Sequence, residues 1–387
     1  MVAVDLDTAQ ASSVRTRQPV HVLVVNSTYG MGGVERVTYD LVTRLDRNEF
    51  EVVFCSFYEP GTLGEVIIQA GYPFYHRLMR NKFDVRGLFR LREIVSAHRI
   101  DLIYLAVQPM TLFWGVVGSK LFGVPIAALV SNTVVVKEHV KLKSYRWLLP
   151  LVNRIIVVAN TQKARLVAET GVSPALVSVI HNGVDVRRFE DGPGVPARRR
   201  EAGLRPDARV VGIVARLDRL KALDVLLQAA KIVTDRRSGV EFVIVGTGSE
   251  LERLQEQARS LGIEQHVRFV GFVNEPARII GCFDIAVLCS RTEALPISVL
   301  EYMAAGRPCV VTDVGGLREL ITHDENGFVI EPDNPHALAD KIIQLLDDPV
   351  LARRMGDKSR EVVTRHFTMD LMVRKTTALF YELAPPS

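Results

Sequence analysis

The chain has 387 residues, of which 48% are hydrophobic and 24% charged. At roughly 100–200 residues per domain that length fits two domains, and the composition excludes a disordered chain, a collagen-like repeat and a small disulfide scaffold. Forty-eight Lys and Arg against forty-four Asp and Glu leave a net charge of +4, which excludes a general nucleic-acid binder and makes any basic surface a local one.

Residues 1–18 mix acids, Ser, Thr and Arg without the apolar core of a secretion signal, and read as a floppy leader. Residues 20–25 (VHVLVV) read as a buried strand, followed by Gly30-Met31-Gly32-Gly33 and a helical segment over 34–45. Further strands are expected at 50–56, 102–105, 126–130, 154–158 and 177–180, with helical segments between them. The most apolar region, 102–136, is interrupted by Gln108-Pro109, Lys120 and Pro125. It therefore lacks the unbroken run of about 18 apolar residues that a membrane span needs. Residues 191–207 hold Gly192-Pro193-Gly194, Pro196, Gly203 and Pro206 and read as a linker. Alternation then restarts, with strands expected at 210–214, 242–245, 267–270, 285–288 and 309–312. Helices are expected at 222–235, 251–261, 297–305, 335–346 and 368–383.

Strand and helix alternation of this kind builds parallel sheets covered on both faces. The fold class is thus α/β, two doubly wound Rossmann-like domains: 19–190, then the linker 191–207, then 208–367. Cys55, Cys282, Cys289 and Cys309 form no CxxC pair and read as buried free thiols of a reducing compartment.

Ligands of such sheets bind beyond the carboxyl ends of the strands, and a cleft between two domains is a favoured place. After the strand 210–214 come Arg216 and Lys221. A planar fork and a point charge make a natural pair for a diphosphate; a solvated basic loop is the plain alternative. In Cys289 to Gly306, Pro296 suits the first position of a helix and Gly306 its C-terminal cap. The N–H groups around residues 295–298 are then free to meet an anion. Glu293 lies before that helix and Glu301 on it, eight residues later. Alone, the two acids also read as a capping and a solvated residue. The glycines of 30–33 open a helix directly after the first strand, where backbone N–H groups can approach a phosphate. The same glycines also suit a simple tight turn.

With their flanks these residues resemble a known family. Glu293 and Glu301, followed by Met303-Ala304-Ala305-Gly306-Arg307-Pro308 and Thr312-Asp313-Val314-Gly315-Gly316, are similar to retaining glycosyltransferases of the GT-B fold, glycosyltransferase family 4. Arg216 and Lys221, Val245-Gly246-Thr247-Gly248, Gly271-Phe272-Val273, Asn182-Gly183-Val184-Asp185 and Gly30 to Glu35 extend the resemblance over roughly residues 20–383.

The resemblance implies two facing domains with a cleft between them, and a last helix, 368–387, that packs back on the first. It implies that Arg216 and Lys221 stabilise a leaving diphosphate and that Glu293 contacts the transferred sugar. Gly32, Gly33, Gly246, Val273, Leu295, Pro296, Ile297 and Glu301 would form the donor site, with Glu301 on the ribose. It implies a front-face, retaining transfer without cofactor or metal, the donor being a UDP-sugar ahead of a GDP-sugar. The only DxD string, Asp5-Leu6-Asp7, sits in the leader, where chance explains it.

Many relatives carry a His where this chain has Ser131, followed by Asn132; His139 is a stand-in to weigh against a surface His. Ala222 and Ala294 replace two usual glycines. The acceptor side belongs to the first domain, where residues 76–99 and 137–154 are locally basic, with Trp147-Leu148-Leu149 in the second stretch. That pattern suits an anionic membrane surface and a glycan, polyprenyl-linked or glycolipid acceptor, and suits a solvated charged face as well. The location expected is cytoplasmic, with a peripheral place at the inner face of the cell membrane as its extension. A small soluble acceptor, a nucleotide-sugar epimerase and a non-catalytic sugar-nucleotide-binding subunit are the competing readings.

Overall fold

The computed structural model describes residues 18–30, 32–131, 139–189, 199–200 and 203–384; for Val34 and residues 139–143 only the backbone is described. The first sheet carries β1 (Val20–Asn26), α1 (Gly33–Val42), β2 (Phe50–Ser56), α2 (Gly61–Gln69), β3 (Phe74–Tyr75), α3 (Arg86–Ala97), β4 (Leu102–Ala106) and α4 (Pro109–Phe122). It continues through β5 (Ile126–Val130), α5 (His139–Leu148), β6 (Arg154–Val157), α6 (Asn160–Thr170) and β7 (Val177–Val179). The second carries β8 (Arg209–Val214), α7 (Leu223–Arg236), β9 (Val240–Val245), α8 (Leu251–Ser260), β10 (Val267–Gly271), α9 (Ala277–Ile280) and β11 (Ile285–Leu288). Then follow α10 (Ile297–Ala304), β12 (Cys309–Thr312), α11 (Leu317–Leu320), β13 (Gly327–Ile330), α12 (Pro335–Asp347), α13 (Pro349–His366) and α14 (Met369–Leu383).

Both sheets are parallel, in the orders β3-β2-β1-β4-β5-β6-β7 and β10-β9-β8-β11-β12-β13. Their strands are runs of Val, Ile, Leu and Phe because helices cover both faces, so no alternation with polar residues is needed. Strand order reverses between β1 and β4 in one sheet and between β8 and β11 in the other. At these switch points the loops diverge and leave a crevice. The loop after β1 is the glycine-rich one; those after β8 and β11 carry Arg216, Lys221 and Glu293. The topology alone therefore brings the predicted residues to the mouths of two crevices.

The chain crosses between the sheets twice, at adjacent places. Val184 N–H donates to the Phe367 carbonyl at 2.9 Å, and Met369 N–H to the Val184 carbonyl at 3.0 Å. Gly183 has no room for a side chain there, since a Cβ would lie 2.6 Å from the Thr368 carbonyl oxygen. The first crossing thus precedes residues 191–207. Within that stretch, 191–198 and 201–202 lie outside the described residues, and buried Arg199 is already bonded to the second domain, donating to the Cys282 carbonyl at 2.9 Å and to Asp284 at 2.6 Å. α14 packs on the first domain. Phe380 meets the rings of Phe50 and Tyr104, and Glu382 pairs with Arg154. All four cysteines are buried and unbridged. Among the described residues, no helix is long and apolar enough to cross a membrane.

Candidate active site

The loop after β8 is shaped by backbone packing. Gly246, at φ +136°, lies so close that a Cβ would stand 1.9 Å from the Ala215 carbonyl oxygen. Gly248 would meet the Leu217 carbonyl oxygen at 2.3 Å. Only glycine lets the turn 245–248 support residues 215–217, and this explains the Val-Gly-x-Gly pattern. Asp218 then caps the short turn Arg219–Lys221, accepting from the N–H groups of Leu220 and Lys221, and binds Arg216 Nε at 2.5 Å. An Asp immediately before a helical turn is a capping signal that the sequence also carries. Ala222 adopts φ +52°, a left-handed conformation in which an L-residue is strained. That geometry is the reason glycine suits this position.

Lys221 and Glu293 form a direct ion pair, Nζ to Oε1 at 2.5 Å, with side chains 21% and 9% exposed. Ser290 Oγ donates to the same carboxylate oxygen at 2.6 Å. The family resemblance implies neighbouring ligand groups for these two residues, diphosphate and sugar; the fold makes them partners. Arg216 is 69% exposed in its side chain, and its charge acts on Glu35 of the first domain.

Glu293 leads into α10. The chain arrives extended through Pro296, at φ −72° and ψ 128°, so Pro296 is the cap and not the first helical residue. Its side chain accepts nothing, and the first N–H groups of α10 face the cleft without a capping side chain. Gly306 ends the helix at φ +64°, as expected. Glu301, on α10, has its carboxyl pushed up to about 7 by burial, moderated by the charges of Arg188 and Arg36. Val273 packs partly buried against the core after β10.

The first domain meets this site at its glycine-rich loop. Gly32 caps α1 without a side-chain bond, and a Cβ on Gly33 would lie 3.2 Å from Ile297 Cδ1. The N-termini of α1 and α10 therefore face each other across the cleft. Glu35 folds back over Gly32, within 2.2 Å of where its Cβ would be. Burial raises the Glu35 carboxyl, against the lowering field of Arg216 from the other domain. In the sequence Glu35 stands out only as part of the glycine-rich loop; its place near Arg216 depends on contacts that sequence spacing does not show. Ser131 follows β5, half-buried. Asn132 and the side chain of His139 lie outside the described residues; the backbone of His139 opens α5. Among the described residues, no group of three or more His, Cys, Asp and Glu is arranged to hold a metal ion.

Comparison with known proteins matches both halves. The family described as Glycosyltransferase Family 4 matches residues 31–188, and Glycosyl transferases group 1 matches residues 195–362. The chain is 26% identical over 374 residues to the UDP-Gal:alpha-D-GlcNAc-diphosphoundecaprenol alpha-1,3-galactosyltransferase of Escherichia coli, covering 91% of this chain and 94% of that one. It is 29% identical over 208 residues to the N-acetyl-alpha-D-glucosaminyl L-malate synthase of Bacillus anthracis, and that match spans only 54% of each protein. Among solved structures, Anabaena HepE in complex with UDP and glucose superposes with a TM-score of 0.83 at 21% identity, over 94% of this chain and all (100%) of that one. Sucrose-phosphate synthase from Thermosynechococcus elongatus superposes with a TM-score of 0.76 at 18% identity, over 94% and 99%.

Proposed function

Because the chain belongs to the GT-B glycosyltransferases of the family-4 type, we propose that it moves a hexose or N-acetylhexosamine from a nucleotide diphosphate sugar, UDP ahead of GDP, to a glycan or polyprenyl-linked saccharide. The observation that carries this reading is the convergence of Arg216, the Lys221–Glu293 pair and the open N-terminus of α10 on one crevice that faces the glycine-rich loop. Cations and oriented N–H groups there match the charge that grows on a departing diphosphate, and such preorganised donors are usually the largest catalytic term. Glu293 gives one oxygen to Lys221 and Ser290; its other oxygen accepts from a hydroxyl of the transferred sugar. Glu301 accepts from the ribose hydroxyls, and Val273 and Gly246 shape the base and phosphate ends of the donor site. The acceptor hydroxyl attacks from the face that the phosphate leaves. The phosphate oxygen takes its proton, so the anomeric configuration is retained with no protein nucleophile and no metal. Ser131 offers a hydroxyl from the first domain in place of the relatives' imidazole. Incubation with UDP-, GDP- and ADP-sugars and lipid-linked acceptors tests the reading, with anomeric coupling in the product read by NMR; an inverted product sinks the mechanism.

Glu301 supplies a pH test. In the free protein its carboxyl titrates near 7, so it is mostly neutral below that and charged above. The ionised form accepts more strongly from the ribose hydroxyls, since charge-assisted bonds exceed neutral ones. Affinity for a UDP-sugar, whose diphosphate does not titrate in this window, should rise roughly fivefold to tenfold from about pH 6 to about pH 8. Calorimetric titration checks it, and Glu301→Gln should flatten the profile.

A lipid-linked acceptor is supported by the long match to the E. coli enzyme and by one face of the first domain. α3, α4 and α5 lie side by side there. Phe83, Phe89 and Trp147 are 76%, 66% and 79% exposed, among the exposed cations Lys82, Arg86, Arg92, Lys120 and Arg146. Lys137 and the side chains of Lys141 and Lys143 lie outside the described residues. Exposed aromatics among cations suit the interface of an anionic membrane. The chain should co-sediment with phosphatidylglycerol vesicles at low salt and be released by salt. Phe89→Ser with Trp147→Ser should weaken that binding at least roughly tenfold. No binding at low salt would end this part of the reading.

A further inference from the structure

On the crossover side, one carboxylate makes a dense set of bonds between the two domains. Glu319, on α11 of the second domain, accepts five hydrogen bonds from the first. Its Oε2 takes the Asn160 backbone N–H at 3.0 Å, the Asn160 amide nitrogen at 2.8 Å and His181 Nε2 at 2.9 Å. Its Oε1 takes the Thr161 N–H at 3.0 Å and the Thr161 hydroxyl at 3.2 Å. Asn160 and Thr161 open α6, whose own cap residue is Ala159, with no side-chain acceptor. A helix start leaves its first N–H groups unpaired, and here an acid from the other domain satisfies them.

The tie continues into the donor loop. Gly316, three residues before Glu319, donates to the Ala294 carbonyl at 2.7 Å. It sits so tightly that a Cβ would lie 2.8 Å from Ala159 Cβ and 2.6 Å from the Ala294 oxygen. Gly315, at φ +58°, would meet the Glu293 carbonyl oxygen at 2.0 Å. On the other side, Asn182 of the first crossing donates from its amide nitrogen to the Leu295 carbonyl at 2.8 Å. Residues 293–295 are thus gripped between a glycine turn fixed by Glu319 and an amide of the crossover itself. His181, next in the chain, also packs edge-on to Phe367 of the second crossing, with ring centroids 5.3 Å apart.

We propose that Glu319 is a positioning residue: by capping α6 across the domain boundary, it holds the 315–316 turn, and through it residues 293–297, at the spacing from the first domain that transfer requires. The proposal rests on the donor-site reading above. Glu319 lies beside the crossings, where rotation of the domains moves it least, so it serves as a pivot and needs no breaking as the cleft opens and closes.

The test compares the full chain with Glu319→Ala, Glu319→Gln and Asn182→Ala, reading amide hydrogen exchange, thermal unfolding and steady-state kinetics with a UDP-sugar. In Glu319→Ala, exchange should accelerate at least roughly tenfold both at residues 160–161 and at 293–297. kcat should fall roughly tenfold to a hundredfold with donor KM changed less. Glu319→Gln, which keeps an acceptor oxygen, should recover part of both. Should Glu319→Ala fail to fold, Asn182→Ala removes only the bond to Leu295 and should show the same kcat loss. Faster exchange confined to residues 160–161, with donor-loop protection and kcat as in the parent, would overturn the proposal; so would unchanged exchange at both places. If the parent turns over no nucleotide sugar, the transferase reading fails by itself, and exchange at 293–297 still decides whether the tie reaches the donor loop.

Discussion

Lys221→Ala should lower kcat for transfer by roughly 10²–10³-fold, the loss typical of removing one preorganised charge donor from a developing anion. A stability cost accompanies it. Glu293 is 9% exposed in its side chain and shares one oxygen between Lys221 at 2.5 Å and Ser290 at 2.6 Å. Without the ammonium, a nearly buried carboxylate keeps only a hydroxyl, and breaking such a pair costs about 3 kcal/mol. The two effects separate in a double-mutant cycle. Adding Glu293→Gln to Lys221→Ala removes the orphaned charge and should restore most of the unfolding temperature while leaving kcat low. Recovery of kcat together with stability would mean that Lys221 acts only as a structural counter-ion.

Gly246→Ala should be the most damaging single methyl in the second domain. The residue sits at φ +136°, and the new Cβ would lie 1.9 Å from the Ala215 carbonyl oxygen, so backbone must move. Strain and overlap together cost about 3 kcal/mol or more. For a domain of this size that is a fall of roughly 6–12 °C in unfolding temperature. Because the displaced backbone carries Arg216, donor binding should weaken as well. Gly262→Ala is the control: its φ is +66°, but nothing lies within 4 Å of the added Cβ. It should cost only about 1 kcal/mol and leave donor binding alone. Equal losses in both variants would show that conformation alone, and not support of the Arg216 loop, makes Gly246 necessary.

The strands were legible because sheets covered on both faces demand continuous runs of β-branched and aliphatic residues. Residues 50–56, 126–130, 285–288 and 309–312 read from the sequence coincide with β2, β5, β11 and β12. β3 has only two residues and β13 begins with glycine at a sheet edge, so neither gives a periodic signal. α13 gives a weak periodic signal because charged residues interrupt its apolar stripe, although Asp348 before Pro349 is a helix-start pattern and does cap it. Candidate site residues come from the sequence where a short motif carries them, as at Arg216, Lys221 and Glu301. Their partners do not. The Lys221–Glu293 pair joins residues 72 apart in the chain, and the grip of Glu319 on Asn160 joins residues 159 apart. Such pairings are set by the switch-point topology and the domain crossing, not by local spacing. The one-residue displacement at Pro296 has a local cause, since its ψ of 128° keeps it extended and delays the helix to Ile297.

The central claim, that the crevice of the second domain is a nucleotide-sugar site, is tested most directly by calorimetric titration of UDP and a UDP-sugar into the parent chain, Lys221→Ala and Glu301→Ala. Binding of one ligand per chain, weakened at least roughly tenfold in each variant while both remain folded, is the predicted result. Equal affinity in all three chains would place the donor elsewhere and contradict the assignment.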